Sequence, residues 1–290
     1  MMNFDKIRSA VLLGDYTPAD KEWHDIRLKG ITGTDCAAIL GASPFSSAYK
    51  IWAVKTGQIV DEVKQNQAMR LGQLLEPALL QMFKENNPQM MVHEVGTYAN
   101  EDYPFMIANP DALAVEGDKL WIVEIKTSRK HWNEIPPHYI TQVLHYADVF
   151  SADGIKVVSY AGGVYQEWEL PFDMFEIEAQ REAIKEFWFE NIEGNQEPSW
   201  DGSKATYEVV RELARPGDPE VSVDLGYLGV QLSNAQSEFN QSEQTLRQLK
   251  SAALAQMDDA KFGMVSTGDD EHVVAIKRQR GEGKVWLEVK

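Results

Sequence analysis

Cysteine is nearly absent from this chain: Cys36 is the single one among 290 residues. No intrachain disulfide can form, and a four-cysteine iron–sulfur cluster is excluded. That usage fits a reducing, cytoplasmic setting. Long apolar runs are also missing. None approaches the ~18–20 residues needed to cross a bilayer, and the stretch before Trp23 holds only a short apolar patch. Neither a signal peptide nor a membrane anchor is therefore expected. Tandem repeats and low-complexity tracts are lacking too. Basic side chains are scarce, 28 Lys and Arg against 45 Asp and Glu, a net charge of −17. A nucleic-acid binder ordinarily shows a basic footprint, which this chain as a whole does not. The imbalance is local, however. Residues 167–197 hold ten acidic and two basic side chains, whereas 119–131 hold four basic and one acidic. A basic channel within an acidic exterior reconciles the two; the absence of any nucleic-acid partner would as well.

What is present centres on residues 105–142. Asp111 follows an Asn-Pro turn signal, Glu124 stands thirteen positions later, and Lys126 two beyond that. Residues 120–126 read as a strand without Gly or Pro. Alternation places Glu124 and Lys126 on one face and Trp121, Val123 and Ile125 on the other. The strand looks buried on both faces, as in the centre of an α/β sheet. Unpaired charge is costly there, and a divalent metal held by Asp111 and Glu124 would offset it. An Asp turn beside a Glu/Lys pair on a solvated face is the plainer reading. A helix then carries Gln142, aligned with Tyr139 and Tyr146.

Elsewhere the pattern predicts a short helix over 5–13, and Pro18 suits a first helical turn before Trp23, Ile26 and Arg27. Thr34 or Asp35 caps a helix beginning at Cys36, whose N-terminus suits an anion or is simply an ordinary capped end. Residues 66–86 form the clearest helix. Its stripe is Ala68, Leu71, Leu75, Leu79 and Met82, with Gly72, Glu76, Leu80 and Phe83 alongside, and Pro77 predicts a kink or restart. Glu76 on so apolar a face needs a partner, a lysine or a metal. Strands are expected over 90–95 and 103–108, and an antiparallel pair over 155–160 and 164–170. A helix over 172–192 turns Phe175, Ile184, Phe187, Trp188 and Ile192 inward. Composition changes near 195. A helix over 203–214 follows, then a long polar helix over 228–257 with a thin apolar seam suited to another helix or subunit. Strands over 262–290 turn at 267–270 and 280–283, and a second basic patch spans 277–284.

The ordered set Asp111, Glu124–Ile125–Lys126 and Gln142 resembles the core of the PD-(D/E)XK nuclease superfamily. Trp23, Arg27, Ile31, Thr32 and Thr34 are similar to an N-terminal signature of the lambda exonuclease and YqaJ-like viral recombinase family, and Gly72, Glu76 and Pro77 to its G-x-x-x-E-P helix. These motifs cover residues 23–146, about half the chain.

The resemblance implies an α/β restriction-endonuclease-like core over 1–195, a central mixed sheet flanked by helices, and a helix-plus-hairpin appendage over 196–290. It implies a Mg²⁺-dependent 5′-to-3′ exonuclease, with Mn²⁺ able to substitute, that digests linear double-stranded DNA and leaves 3′ single-stranded tails for phage-type recombination. Asp111, Glu124 and the Ile125 carbonyl would hold the metal, with Glu76 on the same ion or a second one. Lys126 would orient or deprotonate water or neutralise charge, and Gln142 would position Lys126 or the water. Arg27, Thr34 and Asn109 would receive a terminal 5′-phosphate, and the basic, aromatic run at Arg129 and Lys130 would meet DNA. Double-stranded DNA ends, a single-strand annealing protein and further copies of the chain in a ring-shaped trimer are the implied partners, in the bacterial cytoplasm of a phage or prophage host. Two alternatives stay open: a structure- or site-specific endonuclease on the same core, and a non-catalytic DNA-binding or assembly module.

Overall fold

The computed structural model describes residues 4–17, 20–60, 66–267 and 270–290; Pro18, and Gly268 and Asp269 of the turn expected over 267–270, lie outside them. Contacts divide the chain into two units, Met1–Arg215 and Pro216–Lys290.

The first unit opens with a hairpin, β1 (Lys6–Ile7) and β2 (Ala10–Gly14), where a helix over 5–13 was expected. Arg8 at φ 53° makes the turn. Its guanidinium donates to the Ser151 and Asp118 carbonyls, so long-range partners outweigh the local helical spacing. Next come α1 (Lys21–Leu28), β3 (Ile31–Thr32), α2 (Gly33–Ile39), α3 (Ala48–Lys55) and α4 (Gln67–Asn86). Short strands β4 (Met91–His93), β5 (Thr97–Asn100) and β6 (Met106–Ala108) follow. β5 was not anticipated. It lies at the centre of a five-stranded sheet ordered β1-β2-β5-β6-β3, with only the β3–β6 pair parallel.

The second sheet carries the candidate site. β7 (Ala112–Glu116) and β8 (Lys119–Ser128) form a hairpin, α5 (Pro137–Phe150) crosses over, and β9 (Gly154–Ala161) and β10 (Val164–Glu169) complete the order β10-β9-β8-β7-β4. β9 and β10 pair antiparallel as expected, and β9 joins β8 in parallel. The intervening helix returns the chain to the starting end of the sheet, as a parallel neighbour requires. The sheet is mixed and flanked by helices, as expected. β8 alternates cleanly: Leu120 and Ile122 join the core containing α5, while Trp121, Val123 and Ile125 pack with Leu79, Leu80 and Phe83 of α4.

α4 runs through Pro77 as one helix. The ring sits on the exposed side, so it costs one main-chain bond without displacing a neighbour. The core-facing stripe is the one bearing Leu79, Leu80 and Phe83; Leu71 and Met82 of the expected stripe are exposed. On α6 (Met174–Glu186), Phe175 is 78% exposed, and Ile177 and Ile184 are buried, one heptad apart. A π-helical run, Phe187–Glu193, follows and stacks Trp188 on Phe105.

The unit closes on α7 (Lys204–Leu213), not near 195. Val209 is buried in the main core, and Thr206 Oγ1 donates to Ser47 Oγ at 2.8 Å. The second unit holds α8 (Gly226–Met257) and an antiparallel sheet β11 (Phe262–Thr267), β12 (Asp270–Arg278), β13 (Trp286–Val289), with Met257, Ala275 and Leu287 as its small core. Among the described residues no helix is long and apolar enough to cross a membrane.

Candidate functional site

The β7–β8 register pairs Ala112 with Val123, which brings Asp111, just before β7, level with Glu124. Asp111 Oδ2 accepts the Ile125 main-chain N–H at 2.6 Å, and the Asp111 N–H points to Glu124 Oε2 at 3.4 Å. Glu124 is 2% exposed. Its Oε1 accepts from Lys126 Nζ at 2.6 Å and from Gln142 Nε2 at 2.8 Å. Gln142 Nε2 also donates to the Tyr146 hydroxyl at 2.9 Å. Lys126 Nζ stands 5.1 Å from the centre of the Tyr139 ring. Strand period two and helix spacings of three and four thus assemble one buried polar cluster between β8 and α5.

Burial and the adjacent Glu124 push the Asp111 carboxyl well above the usual carboxylate range, against the pull of Lys126 and the Ile125 N–H. Burial disfavours the Lys126 ammonium, yet Glu124 and Asp111 hold its proton more tightly than an ordinary lysine. Glu76 arrives on α4, the helix packed on the opposite face of the sheet. Burial first, then the charge of Glu124, raises its carboxyl, so it lies within the field of the cluster without being hydrogen-bonded into it. Among the described residues, no three His, Cys, Asp or Glu side chains stand at metal-ligating separation. The donor set formed here is two carboxylates, Asp111 and Glu124, beside the Ile125 carbonyl. These are hard oxygens of the kind Mg²⁺ takes, with a proton affinity that a nearby cation would relieve.

The second predicted group is also assembled. Arg27 lies over the Trp23 ring, 4.3 Å from its centre, and its Nη2 donates to Thr34 Oγ1 at 3.0 Å and Thr32 Oγ1 at 3.3 Å. Trp23 Nε1 donates to Asn109 Oδ1 at 3.2 Å, linking this group to the strand that leads into Asp111. The cap of α2 is Thr32, not Thr34 or Asp35: Thr32 and Asp35 form a reciprocal capping box. α2 spans only seven residues, so the positive charge facing this pocket is that of Arg27. Arg129 and Lys130 are exposed on the turn after β8 and stand outside the buried cluster.

Two residues, Gly33 and Lys55, and one contact of Trp23 escaped the sequence reading. Gly33 lets α2 approach α5, since a Cβ there would lie 2.8 Å from both Gln142 Cγ and Tyr146 Cε1. The only signal was a glycine between two threonines. Trp23 reads as a core aromatic, and nothing in its spacing reveals the bond to Asn109. Lys55, from α3, reaches Asp35 at 2.9 Å and the Arg27 carbonyl at 2.8 Å. Burial opposes the Asp35 charge, but Lys55, Arg27 and the Thr32 N–H hold its carboxyl below the ordinary value.

Residues 22–153 match the YqaJ-like viral recombinase domain family. Over 278 residues the chain is 29% identical to the protein YqaJ of Bacillus subtilis (strain 168), covering 89% of this chain and 84% of that one. Among solved structures, the fold is similar to that of an alkaline exonuclease, LHK-Exo, from Laribacter hongkongensis. The TM-score is 0.51 at 20% identity, covering 67% of this chain and 97% of the other.

Proposed function

We propose that this chain, whose residues 22–153 match the YqaJ-like viral recombinase domain family, is a Mg²⁺-dependent DNA exonuclease that digests linear duplex from 5′ ends and leaves 3′ single-stranded tails. The observation that carries this reading is the partly buried Asp111–Glu124–Lys126 cluster with Gln142 bonded into it. Asp111, Glu124 and the Ile125 carbonyl would hold the ion, which when bound supplies charge stabilisation at the phosphate and a more acidic water. Gln142, fixed by Tyr146, holds the Glu124 carboxylate in one orientation. Lys126, hydrogen-bonded to Glu124, stands to orient the attacking water or to neutralise charge at a phosphate oxygen. Glu76 adds negative potential from across the sheet. Arg27, Thr34 and Asn109 receive the terminal 5′-phosphate, the planar guanidinium gripping two of its oxygens. The exposed Arg129 and Lys130 follow the backbone.

The test is a time course on 5′-phosphorylated linear duplex and on closed circles, with Mg²⁺ and with chelator. Linear DNA should be consumed, circles left intact and the chelated reaction silent. Cutting of circles would move the reading to an endonuclease. Lys126→Ala should lose about 10²–10³-fold in rate while keeping the folded circular dichroism spectrum of the wild type. Removing the 5′-phosphate should slow the wild type, and Arg27→Ala should erase that difference.

A further inference from the structure

Helix α8 is 32 residues long, about 48 Å. From Leu228 to Leu249 almost nothing in its own unit covers it. Leu232 is 63% exposed, and Phe239 and Leu249 are each 61% exposed. Helices in proteins are held mainly by packing of an apolar face, not by propensity alone, and this stretch has no such packing. Only its end is engaged: Ala253, Leu254 and Met257 pack with the three-stranded sheet of the same unit.

The uncovered seam has a regular period. Starting at Leu228, steps of four and three residues alternate through Leu232, Ala235, Phe239, Ser242 and Leu246 to Leu249. That is a 3.5-residue repeat sustained for three heptads, the spacing of a two-helix supercoil rather than of a helix lying on a globular core. We propose that α8 pairs with α8 of a second copy of this chain in an antiparallel coiled coil.

Side-chain size and charge both select the antiparallel direction. One seam row is large (Leu232, Phe239, Leu246), and the other is small at its middle (Ala235, Ser242). A parallel pair sets each row against itself, so crowded phenylalanine layers alternate with gaps at Ala235 and Ser242. An antiparallel pair sets the large row against the small one, which fills every layer evenly. Flanking the seam, a parallel pair also brings Glu238 against the partner's Glu243, like charge on like. Reversing one helix removes that juxtaposition. It leaves Glu243 with its own Arg247, 2.9 Å away.

Sedimentation of the full chain at micromolar concentration tests this. The wild type should sediment with twice the mass of Phe239→Glu and of Leu246→Glu, because both residues are exposed within a single copy and neither change disturbs its core or any assembly made through the first unit. Gln244→Glu, on the opposite face, should keep the wild-type mass. A wild type with the same mass as both seam variants overturns the proposal. Direction is read by oxidising Leu228→Cys. The native Cys36 is buried, so cross-linking reports the introduced thiol. An antiparallel pair holds those thiols at opposite ends and gives no disulfide-linked dimer. Efficient cross-linking means a parallel pair and overturns the antiparallel arrangement.

Discussion

At position 33 a hydrogen atom occupies the space between two helices. A Cβ there would stand 3.0 Å from the Gln142 main-chain oxygen as well as 2.8 Å from two side-chain atoms. A backbone oxygen has no rotamer by which to give way, so Gly33→Ala must push α2 off α5. Overpacking of this kind costs about 1–3 kcal/mol, which denaturant titration would register. Because Gln142 links Glu124 to Tyr146, the proposed nuclease activity should fall along with stability. A variant with wild-type stability and wild-type turnover on linear duplex would show that the close approach has no role. The contrast with Glu124 and Lys126 is instructive. Their shared face follows from strand alternation, which the sequence displays within three residues. The need for glycine at 33 follows from a helix more than a hundred positions away, which no local pattern encodes.

Single elements divide the same way. β8, α4 and α5 were legible because their apolar periods are long and unbroken, and the β7–β8 hairpin follows from its turn signal. The β1–β2 hairpin and β5 were not, because their pairing is fixed by distant strands and by the reach of Arg8 to Ser151 and Asp118. The buried face of α4 keeps Leu75 and Leu79 of the expected stripe but takes Leu80 and Phe83 in place of Leu71 and Met82, a choice that only the neighbouring β8 decides. The α1–α2–α3 corner is another product of tertiary contact. Lys55 is the cation of a nearly buried pair with Asp35 and also bonds the Arg27 carbonyl. Lys55→Met leaves an uncompensated buried carboxylate and should cost about 3–5 kcal/mol at pH 7. The folded Asp35 carboxyl lies below its ordinary 3.8, so its stabilisation is fully present above that value and fades as the pH falls through the lower, folded-state value. The difference between variant and wild type should therefore shrink on acidification below about pH 4, where the unpaired carboxyl is protonated. Denaturant titrations at pH 7 and pH 3 would measure both. A gap that widens in acid would show that Lys55 is not the group holding Asp35 ionised.

For the whole molecule, the strong negative charge is compatible with the proposed nucleic-acid site because the charges lie on different elements. The acidic stretch falls on β10, α6 and the π-helical run, while the basic side chains lie on β8 and the turn that follows it. Domain division was less legible. The composition changes at 195, but the contacts divide after Arg215, because α7 carries a single buried face within a polar-looking segment. This difference can be measured by comparing chains ended at 195 and at 215. The shorter chain loses buried Val209, the Thr206–Ser47 bond and the Glu197 carboxylate that accepts from the Tyr49 hydroxyl at 2.6 Å. One valine side chain and two hydrogen bonds together contribute about 2–4 kcal/mol. For a unit of this size that corresponds to a melting temperature lower by about 5–15 °C. Thermal melts of the two chains followed by circular dichroism give the answer directly. Coincident melts would return the boundary to 195 and make α7 a passenger on the core, whereas a lower melt for the shorter chain would show that α3 and the corner it anchors depend on a helix beyond the compositional break.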